Sequence, residues 1–361
     1  MRLSVIIPAY NCAGLIPATL ESLKAQTLKD FEVLILNDGS TDSTLSVLKA
    51  YARTDPRFQI FNLPNGGPSR ARNRGIELAR GDYLYFMDAD DLIHPEMLEA
   101  LLSRAEREEL DVICCGYQME NTASNPPHCK EFRFDAFAAY SAEEFRARLT
   151  PLIQAHLMYV VWNKLYRARL IREKGIRFPE EYKSGEDRLF NTAVFPEIQR
   201  FRMVDASYYR YFLRGQSTLA NRYIENRFES VLACHDALTQ AYQKMVLFDH
   251  ESQAAISFAF IKGVLSCFTQ LHAKGCPLRR KEKRAFIGEI LAHPAVQEAL
   301  GREDPAFGYA KTVNRVLRTG NRTLILLMSK MIFLLQFKLN RLYLSLKHRV
   351  KRQPPAKENG S

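Results

Sequence analysis

The chain has 361 residues, 47% of them hydrophobic and 25% charged, a composition that excludes a disordered or fibrous protein. Its length suits two domains, or one large α/β domain with a helical appendage. The net charge of +11 is local: residues 305–361 hold twelve Lys/Arg and one acid, Glu358, so the first 304 residues are neutral overall. Seven cysteines without a CxxC pair or Cys/His metal spacing point to reduced thiols. The early apolar run 3–7 is too short for the core of a signal peptide, so a cytoplasmic location is expected.

The N-terminal half alternates strand and helix patterns, which predicts an α/β fold with a mostly parallel, Rossmann-like sheet and helices on both faces. Strand 3–7 ends at Pro8 and runs into Ala9-Tyr10-Asn11, and a helix follows over 15–25. Strand 31–36 leads through Asn37-Asp38-Gly39-Ser40-Thr41-Asp42 into helix 43–51. Strand 58–63 leads through Pro64-Asn65-Gly66-Gly67-Pro68 into helix 70–79. The aromatic run Tyr83-Leu84-Tyr85-Phe86-Met87 then ends in Asp88-Ala89-Asp90-Asp91, followed by helix 95–108 and strand 112–117.

Packing does not explain three carboxylates at a buried strand end, because desolvating like charges is costly. Two readings fit: a solvated turn capping the next helix, or a divalent-cation site in which Asp88 and Asp90 supply hard oxygen ligands for Mg²⁺ or Mn²⁺. In an open α/β sheet, ligands gather beyond the carboxyl ends of the strands. The loops carrying Tyr10, Asp38 and Asp88–Asp91 all fall at that edge.

Farther along, 118–155 is polar and irregular, an insertion with Asn125-Pro126-Pro127 as a loop tip. Segment 160–171 carries the single tryptophan, Trp162, either a core residue or a platform for a sugar ring. Glu186-Asp187, behind Gly185 and ahead of helix 188–194, forms a second acidic site. Segment 208–218 is aromatic and basic, with Arg210 and Arg214 facing either phosphates or solvent; His156, His235 and His272 have no partners at ligand spacing. The domain boundaries expected are 1–220 for the α/β domain, 221–318 for a helical region, 319–352 for a basic amphipathic helix and 353–361 for a disordered tail. In that helix Leu324, Met328, Met331, Leu335, Leu339, Leu342 and Leu346 form one stripe. The apolar stretch 324–337 is shorter than the roughly 20 residues that span a bilayer. An interfacial helix on an anionic membrane fits it, and so does a helix docked on the protein. Nucleic acid is not an expected partner, since no groove-reading motif accompanies the basic residues.

Chemically, Tyr10 can stack a base and Asp38 can accept an imide N–H, as uracil recognition requires. A cation on Asp88 and Asp90 can neutralise a departing nucleoside diphosphate. Arg72 can add charge-assisted bonds to the phosphates, and a carboxylate of Glu186-Asp187 can deprotonate a hydroxyl. No G-x-G-x-x-G follows the first strand, which argues against a dinucleotide-dependent dehydrogenase.

Ser4-Val5-Ile6-Ile7-Pro8-Ala9-Tyr10-Asn11, Asn37-Asp38-Gly39-Ser40-Thr41-Asp42, Arg72-Asn73-Arg74-Gly75 and Met87-Asp88-Ala89-Asp90-Asp91 together resemble glycosyltransferase family 2 of the GT-A fold. The likeness is close over 1–115 and extends through Trp162-Asn163-Lys164-Leu165-Tyr166 and Gly185-Glu186-Asp187 to about residue 218. It implies an inverting transferase using a nucleotide-sugar donor and a glycan or glycolipid acceptor by single displacement. It also implies site roles: Pro8, Tyr10, Asp38 and Asn65 at the nucleoside; Arg72 at the diphosphate; Asp88 and Ala89 at ribose or metal; Asp90 as main ligand of Mg²⁺ or Mn²⁺. Asp187 matches the general base, with Glu186 and Trp162 on the acceptor side. An unperturbed Asp, with a pKa of about 4, is ionised at neutral pH and suits that role. The expected setting is the cytoplasmic face of the membrane, with a UDP-sugar donor and a lipid-linked acceptor. Transfer to a polyprenyl phosphate, or non-catalytic binding of a nucleotide sugar or polyanion, are the alternatives.

Overall fold

The computed structural model describes residues 1–122, 128–133, 140–154, 157–214, 222–302 and 309–337. The loop tip Asn125-Pro126-Pro127, His156, residues 215–218 and everything beyond 337, including Leu339, Leu342, Leu346 and the tail 353–361, lie outside them. The chain divides into two units: Met1–Gly215 with Asp236–Phe248, and Gln216–His235 with Asp249–Ser361.

The first unit is built in chain order from β1 (Leu3–Ala9), α1 (Ile16–Lys24), β2 (Phe31–Asp38), α2 (Thr44–Thr54), β3 (Phe58–Leu63), α3 (Pro68–Leu78), β4 (Tyr83–Phe86), β5 (Leu92–Ile93), α4 (Met97–Arg107) and β6 (Val112–Asn121). It continues with β7 (His128–Phe132), β8 (Tyr140–Ser141), α5 (Ala142–Gln154), β9 (Lys164–Arg167), α6 (Ala168–Glu173), α7 (Glu186–Val194) and β10 (Arg200–Leu213). The strands form one mixed sheet in the order β3-β2-β1-β4-β9-β6-β10-β5, with β7 on β6 and β8 on β10. The β3-β2-β1-β4 half is parallel throughout. β9 enters antiparallel to both β4 and β6, and β10 then runs parallel to β6. β2 and β4 are buried along their whole length, as continuous apolar runs covered on both faces require. Edge strand β3 buries only Phe58.

Two close approaches seat α3 and the approach to β4 against β1. Gly75 of α3 sits against Ile6, where a Cβ would meet Ile6 Cγ2 at 2.3 Å, so the helix carrying Arg72 packs tightly on β1. At Gly81, ahead of β4, a Cβ would meet the backbone N of Ser4 at 2.5 Å. The described residues of the polar insertion form regular elements: β6 extends to Asn121, β7 pairs back on it, and α5 buries Phe145, Leu149, Leu152 and Ile153.

The second unit is helical. α8 (Arg227–Lys244) starts in it, and its last turns belong to the first unit. α9 (His250–Thr269), α10 (Arg280–Ala292), α11 (Pro294–Gly301), α12 (Tyr309–Arg318) and α13 (Arg322–Phe337) complete it. Segment His250–His272 is long and apolar enough to cross a bilayer, but 67% of its apolar window is buried. It is the core helix of the unit, where Phe260, Val264 and Phe268 cluster with Ile287, Leu317 and Ile325. α13 is thus no independent helix: Ile325, Leu326, Met328 and Phe333 are buried, whereas Leu324, Leu327 and Met331 are exposed. The stripe read from the sequence straddles the edge of the core and is neither wholly buried nor wholly exposed, with Met328 inside while Leu324 and Met331 are outside.

Backbone atoms have no room to move away from a methyl group at Gly81, so Gly81→Ala should destabilise the protein by about 1–3 kcal/mol in denaturant titrations. Gly14, with nothing within 4 Å of its Cβ position, should accept Ala within about 0.5 kcal/mol.

Candidate active site

The acidic turn is not a helix cap. β5 stands between Asp91 and α4, and α4 begins only at Met97. The turn is held from below: Tyr209 donates to Asp91 Oδ2 at 2.7 Å and the Phe212 N–H to Asp91 Oδ1 at 3.0 Å. Thr19 Oγ1 donates to the carbonyls of Ala89 and Asp91. Asp91 is therefore structural, and burial, then the charges of Asp88 and Asp90, push its pKa up to about 8. Asp88 and Asp90 stay partly accessible, each paired with an arginine: Asp88 with Arg72 at 2.9 Å and Asp90 with Arg214 at 2.8 Å. Burial and the neighbouring Asp88 charge raise the Asp90 pKa.

Arg72 is the centre of the site. It is 4% exposed, carried on α3 and stacked over Phe178, whose ring centroid lies 5.3 Å from its Cζ. Besides Asp88 it faces Asp187 Oδ1 at 3.3 Å and Glu186 Oε1 at 3.6 Å. One guanidinium thus joins the strand-end carboxylates to those opening α7. These charges raise the already high pKa of Arg72 against its burial. Arg72 Nε and Nη1 and Asp187 Oδ1 are buried and make no hydrogen bond of normal geometry among the described residues.

Asp187 is not the unperturbed acid expected. Burial raises its pKa, Arg72 opposes, and Glu186 and Asp88 add to the rise, leaving it at about 7. It lies in the first turn of α7, behind Gly185 at φ 84°, a left-handed conformation that favours glycine.

The nucleoside-side residues divide. Tyr10 is 52% exposed at the end of β1, free to stack a ring, with Pro8 half-buried before it. Asn11, at φ 46°, accepts from the Thr41 N–H at 2.8 Å and donates its own N–H to Ser40 Oγ at 3.0 Å. The loops after β1 and β2 are thereby stitched together. Asp42 accepts from the Thr44 and Ala13 N–H groups, a purely structural role. Asp38 accepts from the Gly66 and Gly67 N–H groups, both at 2.8 Å, and Asn65 Nδ2 donates to the Asp38 carbonyl at 2.8 Å. Asp38 and Asn65 therefore build the glycine loop first and offer a nucleobase only their remaining edges.

Trp162 is a core residue, not an acceptor platform. It is 5% exposed, and its indole stacks on Tyr209 at 4.2 Å and on Tyr211 at 5.6 Å, with Tyr117 edge-on. Arg210 is ion-paired with Glu120 at 2.7 Å.

Several supporting residues carry no motif of their own. Asn73 exchanges hydrogen bonds with the Phe178 backbone at 2.8 Å in both directions and donates to Glu180. Asn191 donates to the Asp187 and Tyr159 carbonyls and accepts from Tyr166 at 2.8 Å. Buried Lys164 donates to the Leu157 and Val160 carbonyls and to Asn163 Oδ1, and burial lowers its pKa to about 8. Only the spacing of Asn191, four residues after Asp187 on one helix face, hinted at such a role.

As a cation site, the turn offers two carboxylates, and among the described residues no cluster of three acidic, His or Cys side chains could form a closed cage. That donor set fits a hard divalent ion sharing its shell with phosphate and water.

The chain's residues 4–176 match the Glycosyl transferase family 2 model. The Uncharacterized glycosyltransferase EpsJ of Bacillus subtilis (strain 168) is 30% identical over 305 residues, covering 82% of this chain and 85% of that protein. The Uncharacterized glycosyltransferase YibD of Escherichia coli (strain K12) is 34% identical over 227 residues, 60% of this chain and 62% of that protein. The crystal structure of S. aureus TarS 1-349 in complex with UDP-GlcNAc superposes with a TM-score of 0.67 at 23% identity, over 90% of this chain and 89% of that one, a likeness of fold. With the acidic strand end, Arg72 and Asp187 on one sheet edge, the chain belongs to glycosyltransferase family 2, a nucleotide-sugar-dependent glycosyltransferase of the GT-A fold.

Proposed function

We propose that this enzyme moves a sugar, with inversion, from a UDP-sugar to a hydroxyl of a growing, lipid-linked cell-surface glycan at the cytoplasmic face of the membrane. The observation that carries the reading is the Arg72 bridge between Asp88 and Asp187, with buried hydrogen-bonding atoms of Arg72 and Asp187 left unused. Those atoms suit a diphosphate on one side and an attacking hydroxyl on the other. The Asp187 carboxylate takes the hydroxyl proton as the acceptor oxygen bonds to the anomeric carbon and the bond to the nucleoside diphosphate breaks. Arg72 holds the departing phosphates by charge-assisted hydrogen bonds. Asp88 and Asp90 would hold Mg²⁺ or Mn²⁺, which when bound neutralises the leaving group. Exposed Tyr10 suits the base, and the UDP-GlcNAc bound by TarS supports uracil as that base. Glu186, 3.6 Å from Arg72 and next to Asp187, is assigned to the acceptor side.

The membrane reading rests on the outer face of α13, where Leu327 and Met331 are each 57% exposed beside exposed Lys330. No acid occurs from residue 305 to Lys357. Apolar insertion plus attraction of basic residues to anionic headgroups is the physics of an interfacial helix.

Asp187→Asn should leave UDP affinity within about threefold of wild type but lower kcat by about 10²–10⁴, the usual contribution of a general base. Because ionisation activates Asp187, wild-type kcat/KM should fall below a pKa near 7 and not near 4; an acid limb in the ordinary carboxylate range would refute the assignment. EDTA should abolish transfer and Mn²⁺ restore it, with Asp90→Asn costing about a hundredfold, equivalent to a few kcal/mol of charge stabilisation. The double substitution Leu327→Asp with Met331→Asp, which leaves the buried face of α13 intact, should release the protein from sedimenting anionic vesicles. Unchanged co-sedimentation would refute the membrane face.

A further inference from the structure

Asp90, the carboxylate best placed for a divalent ion, is already neutralised from within the chain. Arg214 Nη1 lies 2.8 Å from Asp90 Oδ2, Nη2 donates to the Asp90 carbonyl, and the guanidinium packs over Phe212 with its Cζ 4.7 Å from that ring's centroid. The position is imposed by β10: Tyr209 and Phe212 clamp Asp91, so the strand delivers Arg214 to the adjoining acid. The opposite carboxylate, Asp88, has the same kind of partner in Arg72. A divalent ion arriving alone would meet two resident guanidiniums at the two carboxylates it needs. Arriving with a nucleoside diphosphate it would not, because the phosphate oxygens take up both the ion's open positions and the arginines' donors.

Resting on the metal-dependent reading above, we infer that Arg214 is the resident counter-ion of Asp90 and makes the cation and the nucleoside diphosphate bind as a pair. The guanidinium repels the lone ion and attracts the diphosphate, so it is a source of positive coupling between two ligands. By linkage, that coupling must appear equally in the affinity of either one.

The test measures Mn²⁺ binding to the full chain by electron paramagnetic resonance of the free ion, with and without UDP. Wild type should bind Mn²⁺ weakly alone and about tenfold or more tightly with UDP, within the usual range for linked sites. Arg214→Gln should bind Mn²⁺ alone more tightly than wild type yet lose most of the UDP enhancement; Arg214→Lys, keeping the charge, should retain part of it. Circular dichroism melting checks that the variants are folded, and Arg214→Leu provides a second charge-free side chain if the Gln variant is not. An enhancement ratio unchanged by removal of the charge, or weaker Mn²⁺ binding without UDP, overturns the inference. Asp90→Asn separates the two levels of the argument. If it binds Mn²⁺ as wild type does, the metal assignment itself is wrong and the inference falls with it. If it loses Mn²⁺ while the Arg214 variants keep the wild-type ratio, the inference alone falls.

Discussion

A guanidinium buried among carboxylates is the constraint on which this active site depends. Arg72 cannot be deprotonated at any relevant pH, so its burial is tolerable only if acids surround it. The fold supplies them from two directions: Asp88 from the end of β4, and Glu186 and Asp187 from the start of α7. Gly75 brings α3 onto β1, and Phe178 lies under the guanidinium. Breaking such a cluster by removing one partner is costly because it leaves an uncompensated buried charge. The strand-end carboxylate and the acids that open α7 are thus tied together through a single side chain.

The same crowding explains why Asp187 departs from an ordinary aspartate. Burial raises its pKa, and Glu186 and Asp88 reinforce the effect, so Arg72 restrains the rise without cancelling it. For the base role proposed for Asp187, a pKa near neutrality combines adequate ionisation with a strong pull on a hydroxyl proton. The supporting network serves orientation. Asn191 fixes the backbone at Asp187, Tyr166 fixes Asn191, and Asn73 secures the chain at Phe178. Each is a satisfied buried polar group, as burial demands.

Much of this was legible in the sequence because it is local. Continuous apolar runs announced β1, β2 and β4, and carboxylates ending a buried strand announced Asp88 and Asp90. Arg72 stood out in the sequence as a residue for phosphate contact, but not as a bridge between acids, since its partners are remote in sequence. β9 is four residues long and antiparallel between two strands, too short to show a period, and Trp162, two residues ahead of it, could be read either way until its stacking partners on β10 were known. The end of β10, within the segment 208–218 read as aromatic and basic, packs through Tyr209 and ion-pairs through Arg210. Asp38 and Asn65 looked like two independent contacts, and only folding reveals that they are bonded to each other. In α13, helical periodicity located a stripe but not which side the core would claim, a choice made by tertiary packing.

The stacking of Trp162 gives the molecule a built-in optical probe. It is the sole tryptophan, so all indole emission originates in the first unit and the helical unit is silent. Its ring lies 4.2 Å from that of Tyr209, whose hydroxyl holds Asp91 at the base of the acidic turn. Asp88 and Asp90 belong to the same turn as the Asp91 that this hydroxyl holds. The unlabelled enzyme therefore carries its one indole two contacts from the acidic turn, through the ring of Tyr209 and the hydrogen bond of that tyrosine to Asp91.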